Sequence, residues 1–372
     1  MLRAFVSAIA AALVAIWTDT GARTIMLGAA VFFCLFFPQP YLAELVRDTP
    51  VVVIDQDGSP SSRELIRRID ATDSISVRHV TDMPEAKALF LKRQTFGIVV
   101  VPASFERDLL AGRSAPIAAY TDGSYFVVNS AMATALTNVT RSLGAEVQVS
   151  RLTAAGVDRT AALAIVQPLT VTAVALFNPQ GGYASFLLPG VFVLILQQTL
   201  LMGIGILKAG RPPAGAIASA GEAVVYVGLY CLWATVALIL LVPCVYSVPR
   251  IGSVTIMFLV MVPFLVAVTA MGFALARLVP SKESVMFFLV VLSMPLFLLS
   301  GISWPIESIP RAVHWLSLLV PSTSAIPAIV RINQMGAGLS AVEGTIGLQV
   351  VLALAYTALA IVAAALQRRG QA

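Results

Sequence analysis

The residues that could carry chemistry in this chain are few and poorly placed for it. His79 and His314 are the only imidazoles and stand far apart, so each reads as a solvated or packed histidine. Cys34, Cys231 and Cys244 lie in or beside apolar runs, where a free thiol behaves as a small hydrophobe, and neither a disulfide framework nor a zinc site follows. Asp55-x-Asp57-Gly58 echoes a calcium loop but lacks the third acidic position and the closing Glu; it reads as a turn. Gly203 and Gly205 are spaced for close helix packing, with no preceding strand or Gly-x-x-Gly continuation to suit a dinucleotide. No G-x-x-x-x-G-K-S/T loop occurs, so the chain has no phosphate cradle of that kind for ATP. Energy for any work must come from elsewhere.

Polar side chains inside apolar runs carry more information, because lipid offers them no partner. Gln197 and Gln198 sit in Leu194-Ile-Leu-Gln-Gln-Thr-Leu-Leu, and at least one of them must face another helix or a water-lined route. Ser293 and Ser300 flank Pro295, where a serine hydroxyl either accommodates the proline or lines a local break. These four residues are the candidates for a substrate path.

Composition sets the frame that holds them. The chain is 58% hydrophobic and only 12% charged, where soluble domains carry about a quarter charged residues, so much of it must face hydrocarbon. The net charge of +5 is scattered over one polar block and the ends of apolar runs, not gathered on a stripe, which argues against nucleic acid.

Runs of about twenty apolar residues predict six transmembrane helices, at 24–42, 183–207, 222–244, 254–277, 285–302 and 346–367. Residues 1–23 precede them as an interfacial helix on the cytoplasmic face, with a signal sequence as the alternative reading. Residues 179–372 form the bundle. With the N-terminus inside, Arg23, Lys208, Arg211, Arg277, Lys282, Arg368 and Arg369 fall in short inner segments, against Arg250, Arg311 and Arg331 outside. The positive-inside rule thus predicts cytoplasmic termini. Within residues 303–335, Ala312–Pro321 is too short and too interrupted by Pro310 and Pro321 to cross, and the whole stretch reads as an outer re-entrant or interfacial segment bearing Trp304, Pro305, Pro310 and Arg331.

Residues 43–178 alternate between the periods of strand and helix and predict a small α/β domain on the outer side. Strands are expected at Val51–Ile54, Ser76–Val80, Phe96–Val101 and Ile117–Tyr120, and at Leu169–Phe177 where the chain returns to the bundle. Helices are expected after a Ser61 or Ser62 cap, over Met83–Lys92, and along Val127–Ala155. The fold class is therefore an α-helical integral membrane protein with an inserted extracytoplasmic α/β domain.

Four ordered stretches resemble the permease subunits of type-2 ABC transporters, in the exporter branch with a large extracytoplasmic domain after the first span. They are Val53-Ile-Asp-Gln-Asp-Gly-Ser-Pro-Ser-Ser-Arg-Glu-Leu, then Phe96-Gly-Ile-Val-Val-Val-Pro-Ala-Ser-Phe-Glu-Arg-Asp-Leu, then Tyr120-Thr-Asp-Gly-Ser. The last is Leu299-Ser-Gly-Ile-Ser-Trp-Pro-Ile-Glu-Ser-Ile-Pro with Leu319-Val-Pro-Ser-Thr-Ser. The resemblance implies a bacterial inner-membrane permease that exports hydrophobic or amphipathic compounds. It also implies a cytoplasmic ABC ATPase that binds the ATP and magnesium, a second permease in a homodimer or heterodimer, and a periplasmic adaptor. This chain itself would bind no cofactor. Family members carry a charged inner loop, rich in Arg and Glu, that docks on the ATPase. Here the corresponding segment, from Lys208 through Arg211 to Glu222, is short and nearly uncharged. Lys208, Arg211 and Glu222 are its candidates for coupling; anchoring of span ends at the interface is the plainer alternative. A membrane-anchored assembly or sensing protein, whose outer domain binds a partner without transport, is the rival reading of the whole chain. Five closely spaced spans with internal glutamines favour transport, since an anchor needs one or two.

Overall fold

The computed structural model describes residues 1–41, 46–169, 176, 182–279 and 281–370, apart from the side chains of Tyr183 and 368–370. The chain divides into two compact units, Met1–Glu44 with Ala175–Ala372, and Leu45–Val174. The expected strand at Leu169–Phe177 lies almost wholly outside the described residues, as do the boundaries at 43 and 178–179.

Helix α1, Leu2–Thr18, is apolar but shorter than a span. Asp19 ends it in extended backbone, and its side chain caps the next helix by accepting from Ala22 N. That helix, α2, runs from Thr20 to Tyr41 and is long enough to cross a membrane. Its π-helical turn at Thr24–Ala29 leaves carbonyls for other helices to use.

In the second unit, β1 (Thr49–Asp55) leads through α3 (Pro60–Asp70) to β2 (Ile75–His79), and α4 (Met83–Leu91) leads to β3 (Gly97–Val101). Short α5 (Phe105–Leu110), β4 (Ala118–Thr121), long α6 (Phe126–Ala154) and α7 (Arg159–Val166) follow. The sheet order is β2-β1-β3-β4, with β1 parallel to both neighbours and β4 antiparallel to β3. Val51 and Val53 of β1 pack with Leu65, Ile69, Val99 and Met132 on one face, while Val52 and Ile54 meet Val80, Ala86 and Ile98 on the other. Successive crossovers that place β2 and β3 on opposite sides of β1 put α3 and α4 on opposite faces.

The cap of α3 differs from the sequence expectation. Ser59, not Ser61 or Ser62, is the N-cap, accepting from Ser62 N at 3.0 Å with Pro60 in the first turn. Ser62 Oγ turns back to Asp55 Oδ2 at 2.8 Å. Asp55 Oδ1 accepts from Asp57 N and Gly58 N, so the aspartate-rich turn closes on its own backbone.

The first unit resumes with α8 (Tyr183–Lys208), α9 (Ala216–Val245, π-helical from Thr235), α10 (Val254–Leu278) and α11 (Lys282–Leu299). Then come α12 (Arg311–Ser317), α13 (Pro321–Met335) and α14 (Glu343–Gly370). Among the described residues six helices, α2, α8, α9, α10, α11 and α14, are long and apolar enough to cross a membrane. The expected starts of α9 at 222 and α11 at 285 fall later than the structure has them, because first turns of small residues (216–221 in α9) or polar ones (282–284 in α11) dilute an apolar run without ending a helix.

Helix α8 is the centre of the bundle, with most of its span buried, while α11 and α14 are largely open. Glycines let neighbours reach its backbone: Gly203 faces Met26 of α2, Gly205 faces Val285 of α11, and Gly190 faces Ile302. Two donors of α9 take up carbonyls of α2, Trp233 Nε1 at Met26 O (3.0 Å) and Tyr246 OH at Cys34 O (2.8 Å). Helices α12 and α13 meet at 91°, and ten of the fifteen residues of α13 are buried.

Candidate functional site

A helix that begins inside an apolar bundle needs partners for its first amides. Pro321, first in α13, has no N–H; the next amide, Ser322 N, donates to Gln197 Oε1 at 2.9 Å. From the other side, Gln349 Nε2 of α14 donates to Pro321 O and to Ser324 Oγ, both at 2.7 Å. Tyr356 OH donates to Leu319 O at 2.6 Å. Two membrane-length helices thus grip the start of α13 through amide side chains.

The bundle also holds polar atoms that no group among the described residues satisfies. Gln197 Nε2, both amide atoms of Gln198, Ser322 Oγ, Thr323 Oγ and Gln349 Oε1 are buried without a partner, and so are both side-chain polar atoms of Asn333. Buried polar groups are ordinarily hydrogen-bonded, so these exceptions set α8, α13 and the facing turn of α14 apart from a plain apolar core. The two candidate serines lie elsewhere. Ser293 Oγ donates to Val290 O at 2.6 Å in the turn before Pro295, and Ser300 Oγ donates to Phe297 O at 2.6 Å. Both bonds stay within α11 or its cap. The four sequence candidates therefore divide into a seam pair, Gln197 and Gln198, and a pair that serves the proline-bearing helix. Gln349 escaped the sequence reading although its signal was the same, an amide inside an expected span; Ser322 and Thr323 stood in a segment read as interfacial.

The three coupling candidates meet at one end of the bundle. Lys208, the last residue of α8, pairs with Glu222 of α9, and both side chains are about 15% exposed. Arg211 in the link between them reaches Asp19 Oδ2 at 3.5 Å and is 56% exposed. Arg277 Nη1 at the end of α10 donates to Arg211 O (2.9 Å), and Gln367 Nε2 of α14 donates to Arg277 O (2.6 Å). The joint of α1 with α2 is tied in as well, Arg23 Nη1 donating to Trp17 O at 2.9 Å. Lys208 and Glu222 neutralise each other, leaving Arg211 as the exposed cation of the three. Asp19, which a sequence reading sees only as an interruption, is the hinge between α1, α2 and this link.

In the stretch between α11 and α13, Trp304 is exposed, Pro305 precedes a short 3-10 turn, and Pro310 opens α12. Arg331 Nε bonds Pro327 O of its own helix at 3.3 Å. A cavity of ≈ 520 Å³, lined by Tyr41, Phe186, Leu187, Phe297, Ile302 and Trp304 among others, opens beside this stretch.

Six apolar helices, one of them buried at the centre, a sharply bent helix pair between α11 and α14, and a charged knot at one end define a multi-pass membrane protein. Residues 23–365 match the ABC-2 family transporter proteins, and the chain belongs to that family. It is the permease component of an ABC transporter, and its family works with an ABC ATPase subunit. A comparison with curated proteins gave no match.

Proposed function

We propose that this permease belongs to an exporter that moves hydrophobic or amphipathic, drug-like or lipid-like compounds out of the cytoplasm or inner leaflet of a bacterial inner membrane. A separate ATPase binds ATP and magnesium, a second permease completes the path, and a periplasmic adaptor receives the product. In this reading the charged knot lies in the cytoplasm with both termini, and the α/β unit lies outside.

The observation that carries the reading is the knot. Lys208–Glu222, Arg211–Asp19 and the bonds through Arg277 and Gln367 join α1 and α2 at Asp19 with α8, α9, α10 and α14, so a push on the short 209–215 link reaches six helices together. Helix α8 carries that displacement to Gln197 and thence to the start of α13. The short link suits a small contact area with the ATPase, with Arg211 as its exposed charge.

The test is co-purification with the ATPase subunit followed by hydrolysis in proteoliposomes. The expected result is a stable complex whose hydrolysis rises with amphipathic compounds and falls in Lys208→Ala and Arg211→Ala. A chain that binds an envelope protein through its α/β unit, yet neither binds an ATPase nor responds to such compounds, would instead be an anchored assembly protein.

A further inference from the structure

A second site lies wholly within the α/β unit. Between α3, α5, the 112–117 segment and α6 the structure has a cavity of ≈ 240 Å³. Its floor is apolar, with Leu65, Phe105 and Leu143 all buried, and its rim carries Arg113, Gln148 and Arg151. The two arginines differ. Arg113 is committed to Asp108, at 2.6 Å, and holds that carboxyl well down, at about 2, with help from Ser104 and Arg107. Arg151 has no ion pair or hydrogen bond through its guanidinium among the described residues, and the group rests against Gly112, whose missing side chain makes room for it. At Gly112 φ is +74°, a conformation that glycine adopts without strain, so the turn both bends under the arginine and leaves it space.

We infer that this cavity binds a small amphiphilic carboxylate, its hydrocarbon or aromatic body on the Leu65–Phe105–Leu143 floor and its head on Arg151. An uncommitted guanidinium presents a planar fork that matches one carboxylate in a bidentate pair. A phosphate monoester carries more charge than one cation answers, and Arg113 is already answered by Asp108. The size points the same way, since pockets for drug-sized ligands run to roughly 300–1,000 Å³. The fit is to a free acid of modest length. The site does not depend on transport, because everything it uses lies in one unit.

The experiment uses the full chain in lipid nanodiscs and a photoreactive octanoic acid with a mid-chain diazirine, cross-links being mapped by mass spectrometry. Expected are cross-links within residues 140–151 and 109–117, competed by octanoate but not by 1-octanol, and more weakly by octyl phosphate. Arg151→Gln should lower that labelling about tenfold or more, the loss of one charge-assisted pair, while Arg151→Lys keeps part of it. Val147→Trp fills the cavity with Arg151 intact and should abolish labelling, which decides the matter if Arg151→Gln disturbs folding. Cross-links confined to the membrane helices, equal competition by 1-octanol, or undiminished labelling in both Arg151→Gln and Val147→Trp would overturn the inference. Each of those results would leave the permease reading standing, since no step of the assay needs the ATPase.

Discussion

Gln197 and Gln198 are neighbours in sequence and opposites in structure. Gln197 satisfies a buried amide of α13, whereas neither polar atom of the Gln198 amide meets a partner among the described residues. Gln197→Leu therefore leaves Ser322 N unsatisfied and should cost about 1–3 kcal/mol, whereas Gln198→Leu removes two unpaired groups and should be neutral or stabilising. Unfolding in SDS titrations checks both. If Gln198 lines the substrate route, Gln198→Leu separates the readouts further, keeping stability while losing transport. At the surface of the α/β unit, the carboxyl of Glu64 is pulled down to about 2, chiefly by hydrogen bonds from Arg67 and then Arg68; Arg68 likewise lowers Glu146. Folding lowers both carboxyls, so the stabilisation they supply is complete above the ordinary range near about 4 and is lost as pH falls below it, for Glu64 towards 2. Carbon-13 titration of Glu64 should give a midpoint near 2 in the parent and one closer to the ordinary carboxylate range in Arg67→Gln. An unchanged midpoint would remove the pairing from the account.

At the scale of elements, α13 decides how the bundle closes. Its start is gripped by Gln197 and Gln349, and its end lies against the turn before α10, where Ile251 N donates to Asn333 O at 2.8 Å. A Cβ on Gly252 would stand 1.9 Å from Ile332 O, a backbone atom with no easy retreat. Gly252→Ala should thus destabilise the bundle by about 1–3 kcal/mol, and more than Gly203→Ala, whose Cβ meets the flexible Met26 side chain. Comparative SDS unfolding of the two variants tests the order. Much of this level was legible in the sequence. Strands at Val51–Ile54 and Phe96–Val101 showed as bounded apolar runs, and the 3.6-residue period marked α6, because one-sided burial leaves a periodic trace. The depth of α13 left no such trace. Ser322, Thr323, Asn333 and Gln334 make it look polar, and their burial follows only from the packing of α8, α10 and α14 around the helix.

For the whole molecule, the six membrane-length helices followed from composition alone, since only length and hydropathy are needed to see them. The charged knot was half visible: Lys208, Arg211 and Glu222 stood out as charges at span ends, but Asp19 and Gln367 join them only through folding. The pairing predicts non-additivity. Lys208→Ala strands a largely buried Glu222 and should harm stability and ATPase coupling more than Lys208→Ala with Glu222→Ala together, as a double-mutant cycle would measure. The exporter reading further requires that this knot and the α/β unit face opposite sides of the membrane. The most direct measurement places single cysteines at Lys87, on the α/β unit, and at Lys282, at the start of α11, in a chain with Cys34, Cys231 and Cys244 replaced, and applies an impermeant maleimide to intact cells. Rapid labelling is expected at 87, and labelling at 282 only after the membrane is opened. The reverse pattern would contradict the exporter reading.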